Sequence, residues 1–138
     1  MFIMSKIVQL WVAVFIFFLT HQTEEIFYSI GEWHTAHPKP SWTNFISRSL
    51  MVKMDTRPKQ TFLVVVQCLV LLAVAFLTHG SLLATQVVVT IFLCIMLAAF
   101  IMHVILSIAT RSSMPGLSTS VFPGLPIGLL LLYVTWQI

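Results

Sequence analysis

The sequence predicts an all-α membrane protein, a bundle of about four transmembrane helices. Three observations predict it. Mean hydropathy is +1.00. Only 8% of the 138 residues are charged, against about 25% in soluble domains. Apolar runs near the roughly 20 residues needed to cross about 30 Å of hydrocarbon occur four times and leave little chain over. A water-soluble fold of this size could not hide so much apolar surface in one core, so a soluble enzyme or carrier is excluded. The net charge of +3 does not indicate a nucleic-acid partner. The basic residues gather in one loop between apolar runs, where they suit anionic lipid headgroups.

The first span covers about 3–19. Lys6 precedes an apolar stretch, as in a signal peptide, but no small-x-small cleavage site follows, so the segment reads as a retained anchor. Nothing helix-breaking appears before Gly31, so the helix is expected to continue to about Trp33. Residues 34–60 are polar and carry Lys39, Arg48, Lys53, Arg57 and Lys59. Within them Trp42, Phe45, Ile46 and Leu50 recur at helical spacing, which suits an interfacial amphipathic helix as well as an ordinary loop. The second span covers about 61–77, and His79-Gly80-Ser81 makes a tight turn into the third, about 82–107. Met114-Pro115-Gly116 introduces the fourth, about 117–136. Pro123, Gly124 and Pro126 make that span irregular, and a kink there should face protein or a polar cavity. Trp136 fits an interfacial anchor. No repeat and no second domain is evident. Cys68 and Cys94 sit in apolar runs and form neither a CxxC pair nor a disulfide framework.

The positive-inside rule places the basic loop and Arg111 in the cytoplasm and both termini outside, in a multi-pass protein of the cell inner membrane. The bilayer is the first expected partner. Self-association or a larger membrane protein could be a second.

His21, Glu24 and Glu25 stand at i, i+3 and i+4, one helical face at the end of the first span. Tyr28 and Glu32 continue that stripe. His103 lies about 20 residues into the third span, as His21 does in the first. The first and third spans run parallel, so both imidazoles should reach one depth. Gln67 of the second span could lie near that layer, whereas His79 belongs to the opposite end. Ionisable groups at membrane depth are costly and usually face a bundle interior. Adjacent carboxylates repel unless a cation or a shared proton intervenes. Imidazole with carboxylate suits zinc, iron or manganese. The metal-ligand set is therefore His21, Glu24, Glu25 and His103, with Glu24 and Glu25 also candidates for proton transfer. The bland alternative is a solvated helix end in the headgroups. His34 and His37 form an HxxH pair of the kind common by chance in loops.

His21-Gln22-Thr23-Glu24-Glu25 resembles the motif of the HXXEE family of small bacterial membrane proteins. That family carries a second histidine in a later helix and then Tyr-x-Pro-Gly. Here His103 is followed by Ser113-Met114-Pro115-Gly116, with Ser113 where the family has tyrosine. Trp33 is also family-like. The resemblance spans nearly the whole chain and implies a helical membrane protein without an assigned activity. Pro115 fits the first turn of a helix, and Gly116 permits close approach of a neighbour, which could set the start of the fourth span beside His103.

Two classes of function follow. One is a membrane enzyme with a divalent metal (Zn, Fe or Mn) or an acid/base site near the cytoplasmic face. The ligands are too few for a di-iron bundle and the histidines too few for a desaturase, so a mononuclear site is expected. The other is a non-catalytic binding, transport or accessory subunit, whose polar groups would hold an ion or bond to a partner helix.

Overall fold

The computed structural model describes residues 2–37 and 55–138, with side chains from Met4 onward. The described chain is entirely helical apart from its turns. The elements are α1 (Phe2–Phe27), α2 (Ile30–Ala36), α3 (Arg57–Thr78), α4 (Leu82–Thr110), the single turn α5 (Leu117–Thr119), a π-type segment (Ser120–Gly124) and α6 (Leu125–Thr135). Among the described residues, four stretches are long and apolar enough to cross a membrane: Met4–Phe27, Arg57–Thr78, Leu82–Thr110 and Leu117–Thr135. The interfacial helix expected around Trp42 and Leu50 lies outside the described residues.

The first helix does not run on to Trp33. It ends at Phe27, and Ser29 takes a left-handed conformation with φ 54° and ψ 71° before α2 begins. Such a conformation is uncommon for a residue other than glycine, and no Gly or Pro marks it in the sequence. The break resets the helical phase. Glu32 is consequently exposed, while Trp33 and His34 are buried.

The spans interdigitate through large side chains. Val14, Val89, Leu93 and Phe100 are fully buried at the centre of the bundle, with Trp11, Phe17 and Phe18 around them. Phe17 meets Phe100 edge to face at 5.5 Å, an arrangement worth roughly 0.5–1.5 kcal/mol beyond the area it covers. On the outside, Phe62, Leu69, Phe76, Leu83, Ile95 and Ile108 are all at least 60% exposed. Such a continuous apolar exterior needs hydrocarbon around it. The chain is a multi-pass membrane protein.

The turns carry their own bonds. Ser81 caps α4 by accepting the Ala84 amide at 3.2 Å, and the Thr85 hydroxyl donates back to the Thr78 carbonyl at 3.0 Å. At the other end of α4, the Ser107 hydroxyl accepts the Met114 amide at 3.1 Å. That bond folds the 111–116 segment back against the helix it has just left. Ile30, Trp33, Leu106 and Met114 pack together there as a small second core.

The fourth span is broken where its prolines predict. Phe122 is extended at φ −146° and ψ 121°, ahead of Pro123. Below the break, the Leu125 amide donates to the Ser120 carbonyl five residues back. The break faces protein on one side: a side chain at Gly124 would meet the Phe100 ring at 2.9 Å. One turn on, a Cβ at Gly128 would lie 2.8 Å from Leu97 Cδ2 and 3.1 Å from Phe17 Cζ. Two helices can approach this closely only over a residue without a side chain. Replacing Gly128 by Leu should lower stability in detergent by about 1–3 kcal/mol, the usual cost of overpacking. The midpoint of thermal unfolding would show it, and an unchanged midpoint would mean that α6 does not pack on α4 here.

Candidate functional site

The site is built where α1, α4 and the α5 turn meet. Each helical residue advances 100° around the axis. From His21, Glu25 is therefore displaced by about +40° and Glu24 by about −60°. The two carboxylates diverge by a full residue step and reach different neighbours. Glu25 turns inward toward α4. Glu24 turns toward the α5 turn.

Glu25 Oε1 accepts from His103 Nε2 at 3.0 Å and contacts His21 Nε2 at 3.3 Å. All three residues are at most 5% exposed. The two imidazoles stand edge to face at 4.9 Å between ring centroids. Phe100 closes one side, 4.7 Å from the His21 ring. One donor atom from each of His21, Glu25 and His103 lies within 4.8 Å of the others. Among the described residues, no other group of three or more His, Cys, Asp or Glu side chains is as close. The trio could hold a metal ion.

Thr119 joins Glu24 and His21 through different atoms. Its amide donates to Glu24 Oε2 at 2.7 Å. Its hydroxyl shares a 3.0 Å hydrogen bond with His21 Nδ1 and lies 3.3 Å from the Gly116 carbonyl. Ser120, fully buried, donates to the same carbonyl at 2.6 Å. These bonds hold the α5 turn against the first span. His103 Nδ1 is buried and takes no protein hydrogen bond.

The backbone at Gly116 passes directly against the site. Its φ is +86°, a region open to glycine at little cost. A Cβ there would meet His103 Cε1 at 2.7 Å, His21 Cε1 at 2.9 Å and Glu25 Cγ at 3.0 Å. Pro115 beside it is buried. Ser113 is exposed and borders a polar cleft of about 440 Å³ together with Glu24, Tyr28, Trp33 and Ser118.

The remaining candidates lie elsewhere. Gln67 borders an apolar groove with Phe18, Val70 and Phe92, away from the trio. His37 Nδ1 bonds the Trp33 carbonyl at 2.9 Å, and its ring stacks on Trp33. His79 bonds the Phe76 carbonyl at the far end of α3. Cys68 and Cys94 are free. Thr119 and Phe100 carried no sequence signal: one is an ordinary threonine, the other one of eleven phenylalanines.

The fold and this trio define a helical membrane protein with a histidine–carboxylate site inside its bundle. The pattern of the family described as "Protein of unknown function with HXXEE motif" matches residues 11–131. The chain belongs to that HXXEE family. No curated protein and no solved structure shows significant similarity to it. The matched stretch contains every residue of the site, from His21 to Ser120.

Replacing Gly116 by Ala should strain the left-handed turn by about 1–2 kcal/mol and push both imidazoles aside. Histidine ring resonances in labelled protein should shift for His21 and His103 together. Gly80→Ala, with open space around it, should leave them in place. Unshifted rings in Gly116→Ala would contradict the placement of this turn.

Proposed function

We propose that the protein is a metal-dependent membrane enzyme whose ion is held by His21, Glu25 and His103. The observation that carries this reading is the convergence of two Nε2 atoms on one carboxylate oxygen within a buried layer. Tetrahedral zinc with bonds of about 2.0–2.1 Å has ligand–ligand edges of about 3.3–3.4 Å. The contacts to Glu25 Oε1, at 3.3 and 3.0 Å, are already near that spacing. Three protein ligands with a fourth position left open is the arrangement of catalytic zinc sites. Iron or manganese suits the same donors. An ion there would supply Lewis acidity and acidify a bound water.

The chain's own groups would do the rest. Glu25, shared by two imidazoles, is committed to the site as a ligand. Glu24 borders the polar cleft and is the carboxylate left to take a proton from water, as general-base chemistry requires. Thr119 acts on His21 and Glu24, fixing the imidazole through Nδ1 and orienting the carboxylate through its amide. This layer belongs to the cytoplasmic side, because the basic loop that follows α2 attracts anionic headgroups there.

Purified protein should contain one divalent ion per chain by elemental analysis. His21→Ala, Glu25→Ala and His103→Ala should each lose it, whereas His79→Ala should keep it. Wild type free of metal after purification and after reloading would remove the proposal. Thr119→Val should retain the ion but bind it about 10–100-fold more weakly, the usual cost of losing an outer hydrogen-bond partner of a ligand histidine. Glu24→Gln should retain full metal content. Loss of metal in Glu24→Gln would mean that this carboxylate is a ligand and not the free base.

A further inference from the structure

Two clefts of different polarity flank Thr119, and one of them reaches the trio at His21. On one side lies the polar cleft bordered by Glu24, Tyr28, Ser113 and Ser118. On the other a cleft of about 280 Å³ runs between α1 and α6. Its α1 wall is Ala13, Ile16, Phe17 and Thr20, ending at His21. These positions are spaced by three and four residues, one face of a helix. From 13 to 21 the wall is about 12 Å long at 1.5 Å per residue. The opposite wall descends from Leu131 and Ile127 past the break at Pro123 to Thr119.

The polarity of this cleft is confined to one end. Its Thr20 hydroxyl is already bonded to the Ile16 carbonyl at 2.8 Å. The groups left to meet a ligand are apolar until the His21 ring and the Thr119 hydroxyl. The cleft lies within two membrane-spanning segments, so hydrocarbon is what surrounds its mouth. Its size is near the lower end of the roughly 300–1,000 Å³ typical of small-molecule sites. Thr119 stands between the two clefts, touching His21 on the apolar side and Glu24 on the polar side.

We infer that the cleft between α1 and α6 takes one fatty-acyl chain of a membrane lipid, with the polar end of that chain at His21 and Thr119. The substrate class is then an acyl amphiphile drawn laterally from the bilayer. Its tail occupies the apolar cleft, and its head lies toward Glu24, Tyr28 and Ser118. This rests on the enzyme reading for its catalytic meaning, but tail binding does not need the metal. A second, larger groove, about 520 Å³, lies between α3 and α4 and is bordered by Val70, Ile91 and Ile95. It is equally apolar yet leads to no histidine, which makes it the internal control.

The test uses the full chain in liposomes containing a phosphatidylcholine with a diazirine near the end of one acyl chain. After irradiation, peptide mass spectrometry should find label that unlabelled lysophosphatidylcholine displaces on Ala13, Ile127 and Leu131, while the lipid-facing Val70 and Ile95 carry the undisplaced background of bulk lipid. Ala13→Trp fills the cleft and should lower that label about tenfold, since a packed volume excludes the tail. Ile95→Trp should leave the label between α1 and α6 unchanged. The midpoint of thermal unfolding of Ala13→Trp in detergent, compared with wild type, reports whether the variant is folded. If it is not, competition of wild-type labelling by unlabelled lysophosphatidylcholine takes its place. Displaceable label spread evenly over both grooves, or label between α1 and α6 insensitive to both the filling residue and the competitor, would overturn the inference. Wild type without metal but with cleft labelling would remove the enzyme reading alone. One ion per chain with even labelling would remove the acyl site alone.

Discussion

A carboxylate buried inside a membrane bundle must be given partners, and Glu25 is given two imidazoles from two different spans. An isolated charge in a low-dielectric interior costs several kcal/mol even after relaxation. His21 reaches it from its own helix and His103 from α4. The rest of the polar architecture serves this contact. Phe100 seals it from the apolar core, Gly116 lets the turn close over it, and Thr119 ties the turn to α1. Removing one imidazole would leave Glu25 with a single partner, and losing a buried hydrogen-bond partner costs more than the bond itself contributes.

Glycine and proline place this turn where bulkier residues would keep it away. The 111–116 segment folds back through the Ser107 bond, reverses at the left-handed Gly116 and starts the fourth span directly beside the imidazoles. The kink at Phe122–Pro123 interrupts that span, and Pro123 and Gly124 line the cleft between α1 and α6. The irregularity of the fourth helix is thus part of the site.

Much of this was legible in the residues. Hydropathy alone was enough to predict four spans, because lipid imposes a length that few other environments do. His21 and Glu25 at i, i+4 announced a shared helical face, and matching depth in two parallel spans singled out His103 among the other histidines. The HXXEE motif and the Pro-Gly step pointed to the family that the chain matches. Other features were not legible. The spacing of Glu24 and Glu25 from His21 looks equivalent along the sequence, but the two fan apart around the axis, and only the neighbours decide which one faces α4. The left-handed Ser29 has no compositional signature, so the stripe through Tyr28 and Glu32 was read across a break. Thr119 entered the site by tertiary folding of an ordinary turn, which periodicity cannot show.

The central claim is that Glu25 lies between His21 and His103 within the bilayer. The most direct measurement is solid-state NMR of the protein in lipid bilayers, with carbon-labelled glutamate side chains and nitrogen-labelled histidine rings. The account predicts short carbon–nitrogen separations from the Glu25 carboxyl to both Nε2 atoms, set by the 3.3 and 3.0 Å contacts. One coupling should vanish in His21→Ala and the other in His103→Ala. A Glu25 carboxyl coupled to His21 alone, with the His103 ring distant, would contradict it.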